Sequence, residues 1–117
     1  MKVKVINIEK VEGIRKGNAS DGTIRIIKSI YESKNMAVHL ATFPPGNSST
    51  KHVHPESEEI CLVIKGNGEV IADGETAKFS ANTLVYIPAG VSHQYKSLGD
   101  DEMVLFVVYS PPTELPR

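Results

Sequence analysis

Four side chains of metal-ligating type stand at spacings that let them share one ion. The chain runs Gly46, five residues, His52-Val53-His54, four residues, Glu59, six residues and Gly66. His93 follows in Pro88-Ala89-Gly90-Val91-Ser92-His93. Three imidazoles and one carboxylate make a nitrogen-rich donor set shared by several divalent transition metals. On an octahedral ion they leave two positions open for water, substrate or dioxygen. A tetrahedral structural Zn site is the alternative, and it would leave none.

Neighbouring residues sharpen the assignment. Glu58 competes with Glu59 as the carboxylate ligand; Glu59 is taken as the inward one, and the motif resemblance given below, with six residues between the glutamate and Gly66, also implies Glu59. Strand alternation then turns Glu58 outward. Cys61 falls about 7 Å along the same face and reads either as a small buried hydrophobe or as a catalytic or ligating thiol. Tyr95, two residues after His93, lines the cavity or packs as a core aromatic. These two are the nearest candidates for a catalytic role around the ligands. His39 matches no spacing and reads as a structural or half-exposed histidine.

Such ligands need rigid elements to aim them, and the chain offers strands. Short Val- and Ile-rich runs recur between Gly, Pro, Asn and Asp clusters, the pattern of an all-β domain. Strands are predicted at Thr23–Tyr31, Met36–Phe43, Glu58–Ile64, Glu69–Ala72, Thr76–Phe79, Leu84–Ile87, His93–Ser97 and Met103–Tyr109. Asp73-Gly74 predicts a type I′ hairpin, and Gly66-Asn67-Gly68 a second hairpin turn. The His52/His54 pair is expected on a strand, both rings facing one way. If Glu59 points inward so do Cys61 and Val63; if His93 does, so do Tyr95 and Ser97. Ile60, Leu62 and Ile64 then form an outward apolar row that an N-terminal strand or a second subunit must cover. The last strand reads as buried on both faces. So many short strands hide their edges most economically as a jelly roll or small barrel.

The chain resembles a small single-domain bacterial or archaeal cupin. That family's first motif, G-x5-H-x-H-x(3,4)-E-x6-G, is met at Gly46, His52, His54, Glu59 and Gly66. The second, G-x5-P-x-G-x2-H-x3-N, is met at Pro88, Gly90 and His93, with Asn82 in place of its first glycine and Ser97 in place of its last asparagine. Asn tolerates left-handed backbone, so the first change is mild. The resemblance implies a double-stranded β-helix, or jelly-roll barrel, commonly dimeric. It also implies one divalent Fe, Mn, Ni, Zn or Cu ion per chain, held by His52, His54, Glu59 and His93. Family members include dioxygenases, decarboxylases, isomerases, lyases and cyclases acting on small molecules, and others that only bind ligands. The whole of residues 1–117 is expected to be one such domain, with an N-terminal strand or arm over 1–22, a barrel core over 23–109 and a proline-rich tail over 110–117.

Bulk properties exclude several other functions. Thirteen basic and fourteen acidic residues nearly cancel, which leaves no nucleic-acid footprint and no polybasic membrane surface. No stretch approaches the roughly 20 apolar residues of a spanning helix. One cysteine forms no internal disulfide and suits a reducing compartment. The chain start lacks a secretory h-region, so a cytoplasmic protein is expected. Gly66-Asn67-Gly68 precedes no helix, so it is not a phosphate loop. A metal-dependent enzyme on a small polar organic substrate is the leading expectation, tending to a homodimer. A metal-containing binding or sensing module without turnover is the alternative.

Overall fold

Side chains on extended backbone alternate between two faces, and this chain's apolar residues are set to that period. The computed structural model describes residues 2–113, which hold one 3-10 turn (Ile8–Lys10) and nine strands. These are β1 (Gly13–Lys16), β2 (Arg25–Glu32), β3 (Ala37–Phe43), β4 (Glu58–Lys65), β5 (Asn67–Ala72), β6 (Glu75–Ser80), β7 (Leu84–Ile87), β8 (His93–Ser97) and β9 (Met103–Ser110). Six form one sheet in the order β1-β2-β3-β9-β4-β7, and three form a second in the order β6-β5-β8. All pairings are antiparallel. The expected all-β jelly-roll class is what the chain adopts.

The two sheets enclose one core. From the large sheet come Ile27, Ala41, Phe43, Cys61, Val63, Leu105 and Val107; the small sheet adds Val70, Phe79 and Tyr95. Alternation on β4 works as expected, with Glu59, Cys61 and Val63 buried and Ile60, Leu62 and Ile64 outward at 43–47% exposure. On β8, His93, Tyr95 and Ser97 are all buried. Polar groups of the site therefore share the interior with the hydrophobic core.

Four details differ from the sequence reading. The strand β1 lies within the N-terminal strand or arm expected over 1–22, but its bounds were not given, because Gly13-Ile14-Arg15-Lys16 carries one apolar side chain and no alternation; it pairs only with β2 at the sheet edge. Gly66-Asn67-Gly68 is not a hairpin turn, since β4 and β5 belong to different sheets. Gly66 makes the corner with a φ of 87°. A Cβ there would lie 2.5 Å from the Glu102 carbonyl oxygen, so the corner packs against the start of β9 only as glycine. The outer residues of β9, Val104, Phe106 and Val108, are half-buried rather than buried, because nothing among the described residues covers that face fully. His52 and His54 lie outside the strands, on an extended connection described below. Asp73-Gly74 does form the expected turn, with φ of 50° and 78° and Ala72 paired to Glu75. Of the proline-rich tail, Ser110 completes β9 and residues 114–117 lie outside the described residues.

Candidate metal centre

The connection from β3 to β4 runs beside β8 and carries two of the four ligand-type residues. Ser97 N–H donates to the Asn47 carbonyl at 3.0 Å, and Ser49 N–H donates to the Tyr95 carbonyl at 2.9 Å. His52 and His93 exchange both backbone bonds, at 3.0 and 2.8 Å. The register slips by one residue between the bridges Ser48↔Lys96 and His52↔His93, which keeps this segment from becoming a regular strand. Its effect is nonetheless strand-like. The His52 and His93 rings stand 4.2 Å apart, and His52 and His54 stand 4.8 Å apart.

Glu59, on β4 of the opposite sheet, closes the group. One ligand atom from each of His52, His54, Glu59 and His93 lies within 4.8 Å of the others. That spread is close to the roughly 4–4.5 Å between opposite ligands on one ion. His54, Glu59 and His93 are buried and His52 is half-buried. The structure thus brings together all four residues singled out in the sequence. His39 lies outside the group; it is buried rather than half-exposed, with its ring 5.6 Å from that of Tyr109.

The donor atoms are prepared for a cation. His52 Nδ1 lies 2.7 Å from the Thr50 carbonyl oxygen, and His93 Nδ1 lies 3.0 Å from that of Val91. A carbonyl oxygen only accepts, so each Nδ1 carries the proton and each Nε2 of a neutral ring presents its lone pair. The Nε2 atoms of His52, His54 and His93 and the Oε1 of Glu59 are buried without a hydrogen-bond partner among the described residues. Glu59 Oε1 approaches His93 Nε2 at 3.3 Å and His54 Nε2 at 3.4 Å, contacts of charge rather than of directed hydrogen bonding. Its other oxygen, Oε2, accepts the Tyr95 hydroxyl. Four converging orphaned atoms are expensive to bury, and a divalent cation satisfies all of them at once. The residues present fit such an ion.

Charge distribution follows from burial and these contacts. Burial alone raises the Glu59 pKa, yet the imidazoles of His54 and His93 and the Tyr95 hydroxyl outweigh it and hold the carboxyl at about 2. Burial pushes His52 down to about 4, and the neighbouring His93 and His54 rings add to that against its bond to Thr50. Burial also lowers His93, but contact with Glu59 reverses the balance and raises it. Cys61 is fully buried, and burial followed by the Glu59 charge pushes its thiol well up. Tyr95 is raised for the same two reasons. Both are therefore neutral near pH 7.

A cavity adjoins the ligand group, touching His52, Tyr95 and Tyr109. It also touches Arg25 and Lys16, which the sequence reading did not single out. Arg25 sits between Ile24 and Ile26 with Ile27 following, so both faces of this strand read as apolar and the inward one could not be chosen. Tyr109, whose ring packs at 4.6 Å on His54, had been placed only as the end of a strand.

This geometry agrees with what the chain resembles. A family model described as a cupin domain matches residues 39–109. The chain belongs to the cupin family. It is 30% identical over 111 residues to polyketide synthase CurC of Streptomyces cyaneus, covering 95% of this chain and 71% of that protein. Among solved structures, a predicted oxalate decarboxylase of Thermotoga maritima matches with a TM-score of 0.85 at 18% identity, over 93% of this chain and all of the other. KdgF from a Halomonas species matches at 0.80 and 18% identity, over 97% of each chain. These structural likenesses establish the shared fold.

Proposed function

We propose that this cupin is a metal-dependent enzyme acting on a small polar organic molecule. The observation that carries the reading is the convergence of four buried, unpartnered ligand atoms beside a cavity. A closed structural ion would have no use for that adjoining space. His52, His54, Glu59 and His93 would hold one divalent ion, drawn from Fe, Mn, Ni, Zn and Cu. When bound, it would supply Lewis acidity or, as Fe(II), access to dioxygen chemistry. Thr50 and Val91 carbonyls fix the tautomers of two ligand rings, and Tyr95 pins one Glu59 oxygen while freeing the other. Tyr95, held protonated, is placed to donate a hydrogen bond at the site. Cys61, also protonated, is assigned to packing beneath Glu59 rather than to chemistry.

A predicted oxalate decarboxylase among similar structures keeps a decarboxylase-like reaction in view, and the breadth of the family keeps dioxygenase-, isomerase- and cyclase-like reactions beside it. We assign the protein to the cytoplasm; among the described residues no helix is long and apolar enough to cross a membrane. The outward row Ile60, Leu62 and Ile64, with Leu84 and Tyr86 beside it, supports a homodimer built on this face. The test is reconstitution of metal-free protein with each metal in turn, incubated with a panel of small keto and hydroxy acids. Oxygen uptake and proton NMR of the substrates are read. Turnover that needs one metal and disappears in His54→Ala is the expected result. Saturable ligand binding with no conversion across the panel would reject the enzyme in favour of a binding or sensing module.

A further inference from the structure

His39 is the buried group that the ligand cluster leaves unexplained. It is 6% exposed, and neither ring nitrogen has a hydrogen-bond partner among the described residues. Burial, the largest influence, lowers its pKa, so near pH 7 the ring is neutral, with one nitrogen that donates and one that accepts. Leaving both unpaired is costly, and such groups in folded proteins are nearly always satisfied. The candidate ion does not supply the partner, because His39 lies outside the ligand group.

His39 lines a second cavity of about 680 Å³, which shares no lining residue with the cavity beside the metal ligands. That volume falls within the roughly 300–1,000 Å³ of small-molecule sites. Residues 29–32 of β2 all border it. Regular alternation would send half of them to the other face, but β2 slips register against β3 between Ser29 and Tyr31, and such a bulge re-aims side chains. Ser29 stands directly opposite His39. Residues 4–6 complete the enclosure. They belong to no strand, no hydrogen bond or ion pair among the described residues holds them, and Val5 is 95% exposed. This arm is the movable wall through which a molecule reaches the enclosed nitrogens.

The lining indicates what that molecule is. The Ser29 and Tyr31 hydroxyls and the neutral His39 ring each donate and accept, which suits hydroxyl groups. Lys4 and Glu32 place opposite charges on the same cavity and leave it without a net sign. The Tyr31 ring, 37% exposed, and Ile6 beside it offer apolar area to the C–H face of a ring. We propose that this second cavity binds a neutral polyhydroxy compound of monosaccharide size, one hydroxyl of which partners His39. The site goes beyond the metal-dependent reading and stands with or without the ion.

The test is NMR of protein carrying 15N-labelled histidine, metal-free and Zn-loaded, titrated with glucose, galactose and mannose and with the uronate of each. His39 signals are identified by their absence in His39→Leu. At least one neutral sugar is expected to shift the His39 ring nitrogens saturably in both forms, and its uronate to bind at least tenfold more weakly. In His39→Leu that sugar's affinity, followed by saturation-transfer NMR, should fall at least tenfold while Zn uptake stays unchanged. His39 signals that no sugar moves at tens of millimolar overturn the proposal, as do equal binding of sugar and uronate, unchanged affinity in His39→Leu, or shifts confined to His52, His54 and His93. Loss of Zn uptake in His39→Leu ties the residue to the metal centre and overturns it as well. Should His39→Leu not fold, His39→Gln identifies the signals and the wild-type titration decides alone. Protein that takes up no Zn yet binds the sugar sinks the metal reading alone.

Discussion

At the scale of single residues, the choice between Glu58 and Glu59 is the cleanest test of the ligand assignment. Glu59 is buried against His54 and His93, whereas Glu58 is exposed and accepts a bond from the Tyr86 hydroxyl at 2.7 Å. Glu59→Gln should lower metal affinity by more than the roughly 10–100-fold typical of losing an outer partner, and Glu58→Gln should leave it unchanged. Competition with a chromogenic chelator measures both. Tyr95→Phe belongs to the outer class: it leaves Glu59 Oε2 without its donor and should cost about 1–3 kcal/mol of folding stability, read by denaturant unfolding. The pH dependence has a definite sign. Glu59 in the metal-free fold sits at about 2 against 4.5, and His52 at about 4 against 6.5. In both cases the unfolded chain binds the proton first, so stability falls with acid between about 6.5 and 2. His93 is raised above 6.5, so its contribution is present below that value and fades as pH rises through the folded pKa. Metal-free protein should therefore be most stable near pH 6.5. Chemical denaturation at stepped pH measures this, and His93→Gln should flatten the alkaline limb. These ligands were legible in the sequence because their residue types and spacing match the motifs the chain resembles; the cavity-lining Arg25 was not, because its strand is apolar on both sides of it.

At the scale of elements, the site depends on how the chain passes between sheets. Glu59 comes from the large sheet and His93 from the small one, so any loosening of the corner at Gly66 displaces one against the other. Gly66→Ala forces a side chain into left-handed backbone, a cost of roughly 1–2 kcal/mol, and adds a Cβ 2.5 Å from the Glu102 carbonyl oxygen. The substitution should lower the thermal midpoint and weaken metal binding together, seen by calorimetry with and without Zn. Asn82, where the second cupin motif has glycine, has a φ of 68°, the left-handed backbone expected of its type. Strand positions were readable where apolar runs stood between turn residues, as along β4 and β9. They gave no bounds for β1 within the expected N-terminal strand or arm, because it has too few apolar residues to mark its ends. They failed also at His52 and His54, where a one-residue slip breaks regular pairing while preserving direction. The Gly66 corner was misread because a glycine pair between strands signals a turn without saying whether the strands it joins pair together.

At the scale of the whole molecule, an apolar outer face and a polar interior site call for one explanation. Ile60 stands opposite Tyr86 and Val108, and Leu62 opposite Leu84 and Phe106, so the apolar rows continue across three strands. Faces of this kind mark association surfaces in soluble proteins. If the proposed homodimer uses this face, the double substitution Ile60→Lys and Leu62→Lys should convert it to a monomer by light scattering while leaving metal binding intact, since both side chains point away from Glu59. The central claim, however, concerns the four inward residues. Anomalous X-ray diffraction from crystals of protein incubated with one equivalent of Zn tests it most directly. The account predicts a single strong peak at roughly 2.0–2.2 Å from the Nε2 atoms of His52, His54 and His93 and from Oε1 of Glu59. A protein that binds the ion elsewhere, or leaves those four atoms unbridged at full loading, would contradict it.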